Sequence, residues 1–148
     1  MYTVRHLLQE KGNQIWSVTP QTTVYEALEL MAGKNCGAVL VLENNKLVGI
    51  FTERDYARKV VLKGKTSKTT KVGELMTSEV LYVSPDDTIE NCMALMTEHR
   101  TRHLPAMENG QLVGLISIGD VVKAIISDRE FTIRELERYI TGGHSSLG

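Results

Sequence analysis

Apolar side chains fall at i, i+3, i+4 and i+7 in two stretches of this chain, Val24, Ala27, Leu28 and Met31, then Ile89, Cys92, Met93 and Met96. That spacing collects each set on one face of a helix. Thr23 followed three residues later by Glu26 supplies a capping box for the first helix, and Thr88 stands at the same place before the second. Each predicted helix is followed by two short apolar runs around a turn. The runs are Ala38 to Leu42 and Leu47 to Phe51 about Asn44-Asn45, then His103 to Met107 and Leu112 to Ile116 about Asn109-Gly110. Such pairs predict β-hairpins. A further helix is predicted after each hairpin, Asp55 to Leu62 and Asp120 to Ile126, and a short strand, Ile15 to Val18, precedes Pro20. The predicted order is strand, helix, strand, strand, helix, twice over. At the ends, Val4, Leu7 and Leu8 predict a helix over Thr3 to Lys11 that stops at Gly12. Phe131 to Ile140 predicts a helix of mixed charge that Gly142 and Gly143 end.

The doubling is a true repeat. Val18 to Arg58 matches Val83 to Lys123 at a constant offset of 65 (Pro20 to Pro85), without a gap. Val18, Pro20, Thr23, Leu30, Met31, Glu43, Asn44, Leu47, Val48, Gly49 and Asp55 all recur at that offset, and Thr52 is exchanged for Ser117. Two copies of one supersecondary unit account for this. The division it predicts is 1–71 for the first repeat with its N-terminal helix and connector, 72–130 for the second repeat, and 131–148 for a C-terminal helix and tail.

With 148 residues, each repeat alone is short of buried surface, so the two are expected to share a core. Hydrophobic residues make up 42% and charged residues 24%, an ordinary globular balance, and a net charge of −1 gives no global field toward nucleic acid or membranes. No stretch approaches the roughly 20 apolar residues that span a bilayer. A cytoplasmic protein with no membrane association is expected. Cys36 and Cys92 occupy unmatched repeat positions without metal spacing, which predicts two free structural thiols.

The candidate chemistry sits where each hairpin runs into its last helix, Gly49-Ile50-Phe51-Thr52-Glu53-Arg54-Asp55 and Gly114-Leu115-Ile116-Ser117-Ile118-Gly119-Asp120. A hydroxyl and a carboxylate at a helix start suit a nucleotide. The exposed N–H groups attract phosphate, and a carboxylate can accept hydrogen bonds from two ribose hydroxyls. The same spacing is also a plain capping box, and spacing alone leaves both readings open.

The tandem repeat, with Gly-Ile-Phe-Thr-x-x-Asp closing one copy and Gly-Leu-Ile-Ser-x-x-Asp the other, resembles a pair of CBS domains, the Bateman module, over about residues 12 to 127. Glu53 to Lys59, Gly64 to Ser67, Val72 to Thr77 and Arg102 to Pro105 resemble the stand-alone single-pair type. The resemblance implies an α/β fold of two β-α-β-β-α repeats about a pseudo-two-fold axis, dimerising into a four-repeat disc. It implies a regulatory module without catalytic activity that senses energy or redox state by binding an adenosyl ligand: AMP, ADP, ATP or NAD, with S-adenosylmethionine behind these, and no metal needed for the fold. A ligand-free structural dimerisation module is the alternative. A homodimer and an unidentified regulated protein are the implied partners.

The resemblance further implies composite clefts. Thr52, Arg54 and Asp55, with Arg58 nearby, are expected to face Met76, Thr77, Thr101, Arg102 and His103. Ser117 and Asp120 are expected to face Ile15, Asn35, Cys36, Gly37 and Ala38. The clefts differ in charge, because Gly119 replaces Arg54 and Gly37 replaces Arg102 at the repeat offset. Phosphate is therefore expected to favour the first. Other signals carry less. Gly64-Lys65-Thr66 lacks the glycine that a P-loop needs at position 59. The lysine-rich connector has no interleaved aromatics to suggest nucleic acid. Trp16 is read as a core residue.

Overall fold

The computed structural model describes residues 2–140; the predicted helix stop at Gly142 and Gly143 lies outside them. The described elements are α1 (Val4–Lys11), β1 (Ser17–Val18), α2 (Val24–Lys34), β2 (Ala38–Glu43), β3 (Lys46–Thr52), α3 (Glu53–Asp55) running into a π-helical segment (Tyr56–Val61), α4 (Val72–Leu75), α5 (Ile89–His99), β4 (His103–Glu108), β5 (Gln111–Ser117) and α6 (Ile118–Ile140). They fall into two compact units. One holds Asn13–Tyr82 with Pro105–Leu115; the other holds the described residues of Met1–Gly12, Val83–Leu104 and Ile116–Gly148.

The first unit is built on the sheet β1-β2-β3. β1 is parallel to β2, with Ser17 opposite Leu40 and Val18 opposite Val41, so β1, α2 and β2 form one crossover. Thr23 caps α2 as predicted: its side chain accepts the Glu26 amide, and Glu26 reaches back to the Thr23 amide at 3.0 Å. The remaining amides at this helix start find the connector, Val24 N–H donating to the Thr70 carbonyl and Tyr25 N–H to that of Ser67. Asn35 ends α2 in the left-handed region, at φ 53°. The hairpin turn holds both Asn44 and Asn45 at positive φ, the conformation a two-residue turn needs to match strand twist.

Alternation along β2 and β3 buries both faces of this sheet. Val39, Val41 and Phe51 meet Val24, Ala27 and Met31 of α2 together with Val60 and Val72. Ala38, Leu40 and Ile50 face the other way, toward Ile15, Leu47, Val80, Leu112 and Leu115. Trp16 packs against the α2 side, as expected, with the Lys34 ammonium 4.5 Å above its ring. The helix predicted over Asp55 to Leu62 is π-wound instead. Leu62 N–H donates to Ala57 and Lys65 N–H to Val60, each five residues back.

In the second unit α1 docks at the start of α5. Val4 and Arg5 amides donate to the Asp87 and Pro85 carbonyls, and the Ile89 amide to Tyr2. Its fully buried residues include Val4, Ile89, Cys92, Leu104, Ile116 and Val121. Two features differ from expectation. The first-strand position of the second repeat forms no named strand among the described residues, although Val83 is buried there at a single bridging position. The two predicted helices Asp120 to Ile126 and Phe131 to Ile140 are one helix, α6, because Ser127 to Glu130 contains neither glycine nor proline to break it.

Candidate functional site

Both signature turns fold as capping boxes. In the first unit the Thr52 amide donates to Asp55 Oδ2 at 3.0 Å, the Thr52 hydroxyl donates to the same oxygen at 3.1 Å, and the Asp55 amide donates to Thr52 Oγ1 at 3.1 Å. In the second unit the Ser117 amide donates to Asp120 Oδ2 at 2.8 Å, and the Asp120 amide to Ser117 Oγ at 3.2 Å. The cap reading is therefore realised twice. Each carboxylate is pinned by its own backbone at a helix start, where the dipole favours negative charge.

Each carboxylate also has a lysine. Lys59 Nζ lies 3.2 Å from Asp55 Oδ1 and donates to the Leu75 carbonyl at 3.0 Å, tying the π-helical segment to the chain just before Met76. Lys11 Nζ lies 2.6 Å from Asp120 Oδ2. The charge comparison based on Gly119 and Arg54 did not include Lys11. Lys59 was legible as an i, i+4 partner of Asp55. Lys11 was not, because it arrives from α1.

The residues named from sequence divide between the units. In the first, Met76 and Thr77 run beside β3: Ile50 and Thr77 exchange backbone hydrogen bonds of 3.0 and 2.9 Å. Gly49 makes that approach possible, since a Cβ there would lie 2.5 Å from Met76 Sδ. The loop before β2 also belongs here. Ala38 is the register partner of Thr52, and the Gly37 carbonyl accepts the Glu53 amide at 3.1 Å. Cys36 is half-buried against the α2 core, Asn35 is the exposed helix cap, and Ile15 lies against the opposite face of the sheet. Arg54 and Arg58 are exposed.

In the second unit the same clasp recurs at the repeat offset. The Arg102 carbonyl accepts the Ile118 amide at 2.8 Å, and the Thr101 hydroxyl donates to the His103 carbonyl. Arg102 and His103 therefore join Ser117, Asp120 and Lys11 in one neighbourhood. Burial pushes the His103 imidazole below its ordinary pKa; Lys11 and Arg102 add to this while Asp120 opposes it. Burial alone would raise the Asp120 pKa, but Lys11 and the Ser117 hydrogen bonds carry it below the usual carboxylate range. At neutral pH this unit offers an ionised carboxylate beside a neutral imidazole and an ammonium. Such a set can accept hydroxyl donors and contact an anion, which is binding chemistry. Among the described residues no His, Cys, Asp and Glu group could hold a metal ion, and no helix is long and apolar enough to cross a membrane.

Comparison with known proteins bears on this arrangement. The family model for the CBS domain matches residues 11–62 and again 72–127. The chain is 38% identical to the mitochondrial CBS domain-containing protein CBSX3 of Arabidopsis thaliana, over 96% of this chain and 73% of that protein. Among solved structures, a CBS-domain protein from Burkholderia ambifaria superimposes with a TM-score of 0.82 at 53% identity, covering 85% of this chain and 95% of that one. The CBS domain pair of protein MJ0100, solved with 5′-methylthioadenosine and S-adenosyl-L-methionine, shares the fold with a TM-score of 0.77 at 19% identity, over 86% of this chain and 98% of that one. Two matched repeats, each ending in the pinned hydroxyl and carboxylate of Thr52-Asp55 or Ser117-Asp120, place this chain in the CBS domain family as a tandem pair.

Proposed function

We propose that this protein is a regulatory module without catalytic activity that binds an adenosyl ligand. One observation carries the reading: both repeats present a carboxylate fixed by its own helix start and paired with a lysine, Asp55 with Lys59 and Asp120 with Lys11. A carboxylate held this way is suited to the two ribose hydroxyls of an adenosine, and a neighbouring cation to its phosphates. The MJ0100 domain pair, of the same fold, was solved with two adenosine derivatives, which supports the ligand class.

In this reading the ligand contacts come from Thr52, Arg54, Asp55 and Arg58 with Met76 and Thr77, and from Ser117 and Asp120 with Thr101, Arg102 and His103. The loop of Asn35, Cys36, Gly37 and Ala38 and the side chain of Ile15 supply backbone and apolar contacts to the base. AMP, ADP, ATP and NAD rank ahead of S-adenosylmethionine, because charge-assisted contacts to phosphate contribute on the order of 1.5 to 3 kcal/mol each. A cytoplasmic location and a homodimer belong to the same proposal.

The test is calorimetric titration of nucleotide-stripped protein with those five ligands, beside Asp55→Asn and Asp120→Asn variants whose folding is checked by circular dichroism. Saturable binding that either substitution abolishes supports the reading. Absence of heat with every ligand, from folded protein, would leave two caps and a purely structural module.

A further inference from the structure

A groove of about 470 Å³ lies in the first unit, where α2, the π-helical segment and the lysine-rich connector meet. That is room for a small ligand. Tyr25 of α2 forms one side, Tyr56, Val60 and Val61 of the π-helical segment form another, and the connector closes the third with Lys65 to Thr69. None of these residues belongs to the adenosyl clefts described above. Backbone hydrogen bonds hold the three sides together. The Tyr25 amide donates to the Ser67 carbonyl at 2.9 Å, and the Lys65 amide to the Val60 carbonyl at 2.9 Å. The second bond reaches five residues back in the manner of the π-helical segment itself, a winding that occurs often at functional sites. The groove is not a feature of the repeat. At the repeat offset Tyr25 and Tyr56 become Glu90 and Val121, so the second copy has no such pair of rings.

We propose that this groove is a further binding site and that it takes an aryl phosphate. Two tyrosines and two valines offer a planar ring an apolar, aromatic surround. Lys65 and Lys68, both exposed, supply the charge, and among the described residues neither forms an ion pair with a carboxylate. The Lys68 ammonium lies 5.0 Å from the centre of the Tyr25 ring, so a cation and the aromatic wall are presented side by side. Ser67 stands between the two lysine-bearing positions, and its hydroxyl makes no hydrogen bond among the described residues, which leaves it to donate to a phosphate oxygen. The Thr66 and Thr69 hydroxyls, by contrast, are bonded to one another. Two ammonium groups and a hydroxyl match a doubly charged phosphate better than a singly charged carboxylate. The start of α2 is not itself the anion site, because its amides are taken: Val24 donates to the Thr70 carbonyl, Tyr25 to that of Ser67, and Glu26 to the Thr23 hydroxyl. The inference does not depend on adenosyl binding.

The experiment is a nuclear magnetic resonance titration of the isotope-labelled full chain with phenyl phosphate, beside phenol, inorganic phosphate and benzoate, in wild type and in the Lys65→Gln/Lys68→Gln variant. Both lysines are exposed, so their replacement leaves the fold intact, and circular dichroism confirms it. Phenyl phosphate is expected to shift the amides of Tyr25, Tyr56 and Lys65 to Thr69 saturably. Phenol lacks the charge, inorganic phosphate lacks the ring and benzoate carries one charge fewer, so each binds more weakly. The double variant is expected to raise the dissociation constant for phenyl phosphate by about ten-fold or more, as loss of charge-assisted contacts does. Shifts centred on Thr52 and Asp55 or on Asp120 instead, inorganic phosphate or benzoate binding as tightly as phenyl phosphate, an affinity indifferent to the two lysines, or no saturable shift at all would overturn it.

Discussion

The ammonium of Lys11 lies 2.6 Å from Oδ2 of Asp120, a contact between residues 109 positions apart. Lys11 is the last residue of α1, and Asp120 is in the first turn of α6. The second repeat therefore receives from the N-terminal helix the cation that the first repeat takes from its own Lys59. Two units that look alike in sequence balance their carboxylates by different routes.

Lys11→Ala is expected to lower stability at neutral pH by about 1 kcal/mol, the upper end for a partly exposed pair. Asp120 sits below its ordinary pKa in the folded protein, so its contribution is complete above the unfolded value of about 3.9 and is lost as pH falls through the lower folded value. Denaturant unfolding of wild type and variant at several pH values checks this. The gap between them closes in acid; a gap that stays constant there would show that the loss is one of helix packing.

Gly49→Ala is expected to destabilise by about 1 to 3 kcal/mol, as overpacking does. The added Cβ would lie 2.5 Å from Met76 Sδ and 3.0 Å from the Thr77 carbonyl. The thioether can swing away, but the carbonyl is held by the Ile50 amide. Gly33, inside α2, is the control. Nothing lies within 4 Å of a Cβ there, so Gly33→Ala should be neutral or stabilising by up to about 1 kcal/mol. Thermal melts of the two variants should move in opposite senses, and equal shifts would sink the argument from close approach.

The two thiols should react at very different rates. Cys92 is fully buried on α5, and burial pushes its thiol up to about 11. Cys36 is only half-buried. A thiol-specific chromogenic reagent on native protein is expected to modify Cys36 promptly, and Cys92 only at the rate of unfolding. Prompt modification of both would show that α5 opens far more readily than its packing indicates.

How legible the fold was depended on the range of the interaction. The capping boxes at Thr23, Thr52 and Ser117, the asparagine turns of both hairpins and the apolar faces of α2 and α5 each rest on residues within four positions of one another. The continuity of α6 was misjudged because glycine and proline were absent where a break was expected, and a helix runs on unless something stops it. The π-winding after Asp55 left no mark in an apolar period that suits an α-helix equally well. Of the candidate site, the hydroxyls and carboxylates were visible as a repeated motif; of their cations, Lys59 lay within reach as an i, i+4 neighbour of Asp55 and Lys11 did not.

By itself the sequence determined the repeat, the order of elements in each copy, the turns, and the positions of Asp55 and Asp120 at helix starts. These follow from local sterics and hydrogen bonding, which act over a few residues. Only the tertiary structure decided that α1 docks on the start of α5, that Lys11 reaches Asp120, and that the loop before each hairpin clasps the turn of its own repeat. The physical reason is that long-range pairing is set by which surfaces fit and which buried polar groups still need partners, and no spacing along the chain encodes that distance.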